Sequence, residues 1–262
     1  MPGYANRLFK DLSDLPAYWR ACREVAERLV ATVETVPYGN SSRQYVLRLS
    51  GPLSRPQRVA FYFHGGAWTF GRPEAFTSAA APWLTAGFTV ILPSYRRPPR
   101  VGLEGIAADC RRILVATHPG QQVERLHVSG ISAGAHLAAL LTARPAWWRA
   151  AGWETTPTKS LLCAGPLALG DTRPRSYLGR FPHLDPCQLP VNREVDYLLI
   201  HGTHDAMVPY RNGKVFTDRV LRYGGRARLL TLPQGGHLDA GRWMFGGPGA
   251  AEVKAFIDPG RE

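Results

Sequence analysis

From about residue 58 onward, short apolar segments alternate with longer amphipathic ones, and this alternation restricts the fold more than any other feature of the sequence. It is typical of βαβ units, in which helices connect the strands of a mostly parallel sheet. Strands buried on both faces of such a sheet are apolar throughout. The sequence therefore predicts an α/β fold. The segments predicted to form its strands are 58–63, 88–92, 126–129, 160–163, 197–200 and 227–232.

Apolar residues between these strands recur at helical spacing. One stripe at i, i+3, i+4, i+7 and i+11 consists of Leu103, Ile106, Ala107, Cys110 and Leu114. Further helices are predicted over 135–143, 208–223 and 250–257. Ahead of the sheet, Asp14 and Pro16 predict a helix over 16–33, and residues 44–49 are expected to form an edge strand or hairpin arm.

Residues 144–193 do not follow the alternation. They are rich in Pro, Arg and Trp and contain one clear strand, near 160–163. A stretch of this length is too long for a plain loop in a compact domain. We therefore predict a cap or lid over an active site, within a single domain that spans residues 1–262. The alternative is a disordered excursion.

The composition is that of a globular enzyme, with 262 residues, 45% hydrophobic and 10% aromatic. The formal net charge of +12 raises the question of an acidic partner. The basic residues are mostly scattered arginines without a block of like charges, so we expect no nucleic-acid partner.

No apolar run approaches the ~18 residues that a membrane span needs, and the N-terminal segment is polar. The four cysteines are widely spread and form no C-x-x-C pair. These features favour a reduced, cytoplasmic setting without membrane attachment. The histidines lack metal-ligand spacing and no nucleotide-binding glycine motif follows a strand, so neither a metal nor another cofactor is expected.

The motif with the clearest chemical meaning is G-x-S-x-G at residues 130–134. It follows a predicted strand and precedes a predicted helix, the context in which this motif forms a nucleophile elbow. The flanking glycines are needed because side chains there would clash in the sharp turn. Ser132 is then held at the sheet edge and at a helix N-terminus, where negative charge is favoured.

A serine hydroxyl needs a base within hydrogen-bond reach and a third group that orients the base. In this fold the chain order is serine, acid, histidine. Asp205 follows the strand at 197–200, and His237 follows the strand at 227–232 in a glycine-rich loop. We therefore predict Ser132, Asp205 and His237 as the catalytic residues. The competing residues, for which structural roles are expected, are His136, His201, His204 and Asp239.

The segment His64-Gly65-Gly66-Ala67-Trp68 follows the first strong strand. Acyl transfer places negative charge on a carbonyl oxygen, and backbone N–H groups stabilise it. We expect Gly65, Gly66 and Ala133 to supply these donors, with His64 as a structural anchor. The predicted substrate pocket contains Trp68, Ile131 and Trp147, although Trp68 could equally be core packing.

Four motifs together resemble the esterase/lipase branch of the α/β-hydrolases: HGGAW, GISAGAHLAA, HGTHDAMVP and the GGH loop. Within it they are most similar to the kynurenine formamidases and small carboxylesterases, from about residue 38 to 237. The resemblance implies a cytoplasmic, cofactor-free enzyme with its triad on the residues named above. The chain differs from formamidases at Ala67, where they usually have Tyr, and at Ile131, where they often have His.

The predicted function is hydrolysis of a small ester or aryl formamide through an acyl-enzyme on Ser132. The alternatives are a peptidase, a thioesterase or a biosynthetic acyl-tailoring enzyme with the same triad, and a non-catalytic ligand-binding protein on the same fold. An arginine-rich cap could favour anionic substrates; its members are Arg144, Arg149, Arg173, Arg175 and Arg180. The expected partner is a small-molecule ester or amide, with a homodimer left open.

Overall fold

Eight strands form one sheet in the computed structural model, which describes residues 2–258. In chain order they are β1 (Thr32–Pro37), β2 (Tyr45–Ser50), β3 (Arg55–Phe63), β4 (Phe88–Pro93), β5 (Arg125–Ile131), β6 (Lys159–Cys163), β7 (Asp196–Gly202) and β8 (Arg226–Leu232). Their order across the sheet is β1-β2-β4-β3-β5-β6-β7-β8. β2 pairs antiparallel with β1 and β4, and all other neighbours are parallel. The predicted α/β class and its six parallel strands are confirmed.

Helices flank this sheet. The α-helices are α1 (Pro2–Glu27), α2 (Ala81–Thr85), α3 (Leu103–Ala116), α4 (Ala133–Thr142), α5 (Pro145–Ala150), α6 (Arg175–Leu178), α7 (Arg211–Arg222) and α8 (Ala250–Ile257). Short 3-10 helices occur at Pro73–Ala80, Leu169–Asp171, Pro182–Leu184 and Leu238–Phe245. The helices predicted between and after the strands correspond to α3, α4, α7 and α8. Within residues 2–258, no helix has both the length and the apolar character needed to cross a bilayer.

The N-terminal prediction was wrong at both ends. The helix begins at Pro2, contains Pro16, and ends before β1, whose first residues were assigned to the helix. Asp14 does not cap a helix; its carboxylate pairs with Arg242 at 3.3 Å. A proline inside a helix removes one backbone hydrogen bond. Burial of Tyr18 and Cys22 on the next two turns offsets that cost, because tertiary packing supplies most helical stability.

The first part of the predicted cap belongs to the hydrophobic core. The rings of Trp148 and Trp153 lie 5.3 Å apart and both contact Phe61 of β3 edge-on. Their indole N–H groups donate to the carbonyl oxygens of Leu141 and Leu114. This satisfies the only polar atoms that burial of the two indoles takes from water. The side chains of Trp148 and Trp153 therefore pack against the sheet.

The carboxyl ends of the central parallel strands lie level with one another. The pairs at these ends are Phe63 with Gly130, Ile131 with Cys163, Cys163 with Ile200, and Gly202 with Leu232. The ladder continues one residue beyond the strands, because the Ser132 N–H donates to the Cys163 carbonyl at 2.8 Å and the Thr203 N–H donates to Leu232. The loops that follow β3, β5, β7 and β8 consequently start from one edge of the sheet, where ligands bind in open α/β folds.

The neighbouring indoles of Trp147 and Trp148 give a test of this packing. Trp148 is fully buried, so Trp148→Ala should lower the free energy of unfolding by about 3–5 kcal/mol. Trp147 is partly exposed, and Trp147→Ala should cost less than half as much. Urea denaturation of both variants measures the difference. Equal losses would contradict the assignment of residue 148 to the core.

Candidate active site

Ser132 occupies the sharp turn between β5 and α4, with backbone angles φ 54° and ψ −124°. A non-glycine residue adopts such angles only where its surroundings enforce them, and such residues concentrate at functional sites. A Cβ on Gly130 would meet the Gly134 carbonyl at 2.5 Å, and one on Gly134 would overlap the Phe63 carbonyl. The flanking glycines thus let α4 start directly against the end of β3, and Ser132 stays partly exposed above it.

Two hydrogen bonds join the three residues predicted as a triad. His237 Nε2 lies 3.0 Å from Ser132 Oγ, and His237 Nδ1 lies 2.8 Å from Asp205 Oδ2. A carboxylate only accepts hydrogen bonds, so the imidazole carries its proton on Nδ1. Nε2 is then free to accept the serine proton, as a general base requires.

Asp205 is buried, and four donors satisfy its carboxylate. Oδ1 accepts the N–H groups of Met207 and Val208 at 2.9 and 2.8 Å. Oδ2 accepts His237 and lies 3.2 Å from His201 Nε2, which also donates to the Val208 carbonyl. Burial alone would raise the pKa of Asp205, but the charges and hydrogen bonds of His237 and His201 outweigh it and lower this pKa below its usual range.

The opposite balance acts on His237. Burial lowers the pKa of its imidazole, whereas the charge and hydrogen bond of Asp205, together with the charge of Asp11, raise it. The net result is a pKa above the ordinary value of 6.5. Asp205 therefore stabilises the protonated imidazole that forms when a base takes up a proton.

The competing residues occupy structural positions. His136 accepts the Trp68 indole N–H at 3.3 Å and donates to the Leu184 carbonyl, and burial lowers the pKa of His136 to about 4. The His204 N–H donates to the Gly235 carbonyl. Asp239 accepts the Gly236 N–H and pairs with Arg242. His201 acts on Asp205, a contact that its sequence position alone did not reveal.

The segment expected to hold an oxyanion runs beside Ser132. A Cβ on Gly65 would lie 3.3 Å from the Cβ of Ser132, so this backbone passes directly against the serine. Gly66, Ala67 and Trp68 all have positive φ. His64 lies beneath this segment, stacked on Tyr95 at 4.6 Å, and its Nδ1 bonds the Gly65 carbonyl. Burial lowers the pKa of His64 to about 4, which suits a structural anchor.

A cavity of about 240 Å³ opens over Ser132. Gly65, Gly66 and Ala133 line it together with Ser132 and His237. Of the predicted pocket residues, Trp68 and Ile131 line the cavity. Trp147 is not among the described lining residues; the guanidinium groups of Arg111 and Arg144 lie over its ring, 5.4 and 5.7 Å from the ring centre.

The roof of this cavity comes from α1, which the sequence did not indicate. Four residues of α1 line the cavity, and we call them the roof residues: Leu12, Leu15, Tyr18 and Trp19. A signal was available, because Leu12, Leu15 and Trp19 follow helical spacing at i, i+3 and i+7. Of the predicted cap, only residues 166, 172 and 173 are among the described lining residues.

Among positions 2–258, no group of three or more His, Cys, Asp or Glu side chains is arranged so that it could hold a metal ion. The four cysteines are buried as free thiols. The residues with polar side chains among those that line the cavity include Ser132, His237, Thr172 and Arg173. Such a set suits nucleophilic and acid–base chemistry.

Comparisons with known proteins agree with this fold. A family model described as alpha/beta hydrolase fold matches residues 60–223. The kynurenine formamidase of Danio rerio is 29% identical over 120 residues, which cover 45% of this chain and 41% of that protein. The esterase LipC of Mycobacterium tuberculosis is 27% identical over 290 residues, covering 94% of this chain and 71% of that protein. The chain therefore spans about two fifths of the formamidase relative.

Solved structures show the same fold at low identity. A hyperthermophilic esterase from the archaeon Pyrobaculum calidifontis has a TM-score of 0.71 and 18% identity, covering 93% of this chain and 92% of that one. A truncated carbohydrate esterase from gut microbiota has a TM-score of 0.74 and 17% identity, covering 87% and 95%.

The electrostatic link between Asp205 and His237 can be tested by titration. Asp205→Asn removes the charge that holds the pKa of His237 above 6.5, so we expect this pKa to fall by more than about one unit. NMR of the imidazole resonances measures it. Asp239→Asn is the control, since that carboxylate contacts Gly236 and Arg242, and it should leave the titration of His237 unchanged. Equal shifts in both variants would contradict the assignment.

Proposed function

This chain belongs to the alpha/beta hydrolase fold family, and from that membership we propose that it is a serine hydrolase acting on small esters or aryl formamides. The observation that carries the proposal is the hydrogen-bonded chain from Ser132 through His237 to Asp205 at 3.0 and 2.8 Å, which opens into an apolar cavity. A nucleophile, a base and an orienting acid in this arrangement are what acyl transfer requires.

The first half of the proposed reaction acylates the enzyme. His237 Nε2 takes the proton of Ser132 as Oγ forms a bond to the substrate carbonyl carbon. The carbonyl electron pair moves to the oxygen, where the N–H groups of Gly65, Gly66 and Ala133 would stabilise the charge. When this intermediate collapses, the bond to the leaving alcohol or amine breaks, and the leaving group takes the proton from His237.

The second half releases the acid. Water gives a proton to His237 Nε2 and attacks the acyl carbon. The bond to Ser132 Oγ breaks, and the serine regains its proton from the imidazole. Asp205 accepts the Nδ1–H of the ring throughout, because Met207, Val208 and His201 hold its carboxylate in place.

Three features favour short, apolar esters as the substrate class. The cavity is small, about 240 Å³, and apart from the arginine at position 173 its wall is mostly apolar. Ala67 lines it where formamidases usually have Tyr, so the contacts around an aryl formamide would differ. The similarity to LipC, named as an esterase, extends over 94% of the chain, compared with 45% for the formamidase.

One observation favours an anionic acyl compound as a second candidate substrate. Of the five arginines in the predicted cap, the side chain of Arg175 lies outside what the structure describes. Among the other four, only Arg173 lines the cavity. Apart from His237 it is the one ionisable cation among the described lining residues. A guanidinium there could pair with a carboxylate carried by the substrate.

The main proposal is tested with p-nitrophenyl esters and N-formyl-kynurenine. We expect hydrolysis of the acetate and butyrate esters to exceed that of the decanoate, because the cavity is too small for a long chain. Ser132→Ala should lower kcat/KM by at least about 10³-fold and abolish labelling by a fluorophosphonate. Turnover of N-formyl-kynurenine above that of the esters would move the assignment to the formamide. Ester hydrolysis that survives in the alanine variant would refute the proposed nucleophile.

The role of Arg173 is tested with two esters of matched size, one neutral and one with a terminal carboxylate. Arg173→Gln should lower kcat/KM for the anionic ester about tenfold more than for the neutral one, as loss of a charged hydrogen bond predicts. Arg180→Gln is the control, an exposed arginine of the same segment that is not among the described lining residues. An unchanged ratio in Arg173→Gln would remove the anionic candidate.

A further inference from the structure

A second carboxylate contacts the residue proposed as the base, and it comes from the N-terminal helix. Asp11 Oδ1 accepts the backbone N–H of His237 at 3.0 Å, across 226 positions of sequence. Asp11 lies on α1 one residue before the first roof residue, Leu12. The helix that covers the substrate cavity therefore also holds the main chain of the base.

The environment of Asp11 is unusual for an aspartate. It is 4% exposed, and its Oδ2 atom has no hydrogen-bond partner among the described residues. A buried carboxylate oxygen without a partner costs free energy, so a purely structural role would more readily be filled by asparagine or serine. Gly236 makes the contact possible, since a Cβ there would overlap Asp11 Oδ1.

We propose that Asp11 is a positioning residue for the hydrolytic reaction, fixing the backbone of His237 and placing a second negative charge beside its imidazole. This inference rests on the proposed function, because it gives Asp11 a role in acyl transfer. Asp205 orients the ring through Nδ1, and Asp11 orients the peptide that carries it. The negative charges of both carboxylates then favour the imidazolium formed in each half-reaction.

The charged groups around Asp11 and His237 change the pKa values of both residues. Asp205 and Asp11 both raise the pKa of His237. Burial raises the pKa of Asp11, as do the negative charges of Asp205 and Asp239, whereas the hydrogen bond and charge of His237 lower it. His201 faces Asp205, and Arg242 pairs with Asp239 and Asp14. Asp11 is therefore the carboxylate from α1 that acts directly on the base.

The arrangement couples the roof of the cavity to the base. Around Tyr18, α1 packs against the 3-10 helix that begins directly after His237, with Tyr18, Cys22 and Leu238 forming one buried cluster. If α1 moved away, His237 would lose the acceptor of its N–H together with one negative charge. A substrate that contacts Leu12 or Leu15 would consequently stabilise the helix position in which the base is strongest.

The test compares Asp11→Asn, Asp11→Ala and Asp14→Asn with the wild type. The readouts are the pH profile of kcat/KM on p-nitrophenyl acetate and the rate of fluorophosphonate labelling at each pH. In the wild type, activity should fall on the acid side through a midpoint above pH 6.5, because the base must be neutral. Asp11→Asn keeps an acceptor oxygen and removes the charge, so this midpoint should move down by about one pH unit.

Asp11→Ala removes the acceptor as well and should also lower kcat about tenfold. Asp14→Asn is the matched control on the same helix. Asp14 pairs with Arg242 at the partly exposed side of α1, and its loss should leave the midpoint unchanged. Thermal unfolding of each variant separates a loss of fold from a loss of positioning, and the isosteric asparagine variant keeps the test decisive if the alanine variant does not fold.

Three results would overturn this inference in distinguishable ways. If the wild type is labelled at Ser132 but Asp11→Asn has the same midpoint as the wild type, Asp11 is structural and the proposed hydrolase function stands. If Asp14→Asn shifts the midpoint equally, the effect belongs to the general charge of α1. If the wild type is neither labelled nor active on any ester, the proposed function itself fails.

Discussion

The level carboxyl ends of the parallel strands are the constraint on which the site depends. Residue pairing between β5, β6 and β7 stays in register up to Ile131, Cys163 and Ile200, and the Ser132 N–H extends the ladder by one bond. A shift of one residue in any of these strands would turn its side chains to the other face of the sheet. The serine, the carboxylate and the imidazole come from three loops more than 30 positions apart, so only this register brings them within hydrogen-bond distance.

Burial is the second constraint, and the loops offset its cost in different ways. The Asp205 carboxylate is removed from water by burial and accepts four hydrogen-bond donors, two from the backbone of the next turn and two from histidines. Its pKa is lowered despite burial for this reason. Asp11 gains one strong donor and keeps one unpartnered oxygen, and its pKa is raised. Two aspartates buried within one site thus have different electrostatic environments.

Short sequence patterns predicted the strands and the turn at Ser132. Continuous apolar runs predicted six strands, and the position of Ser132 between a strand and a helix predicted the turn, because both signals lie within about ten residues. The start of helix α1 was predicted wrongly because a proline usually lies in the first turn of a helix, whereas Pro16 lies inside this one. The residues that α1 packs against lie some 220 positions away in the sequence. β1 was missed because it is an exposed edge strand without an apolar run.

Distant contacts also explain why the pocket was only partly predicted. Residues 144–193 were predicted as a cap and Trp147 as part of the pocket, but an indole suits a core as well as a cavity, and sequence alone does not separate the two. In the structure, Trp148 and Trp153 pack against Phe61 in the core, and Trp147 contacts two arginines. The roof is formed by α1, and Asp11 was missed because a single aspartate carries no signal of a partner 226 residues away.

The roof of the cavity is held in place by contacts between α1 and the rest of the fold. β1 follows α1 in the chain, and side chains along α1 pack against the body of the protein. The position of α1 therefore depends on the buried cluster around Tyr18 and on the bond from Asp11 to His237. Both contacts involve residues 237 and 238, which follow β8 in the chain. Closure of the cavity and alignment of the base are consequently two results of one docking interface.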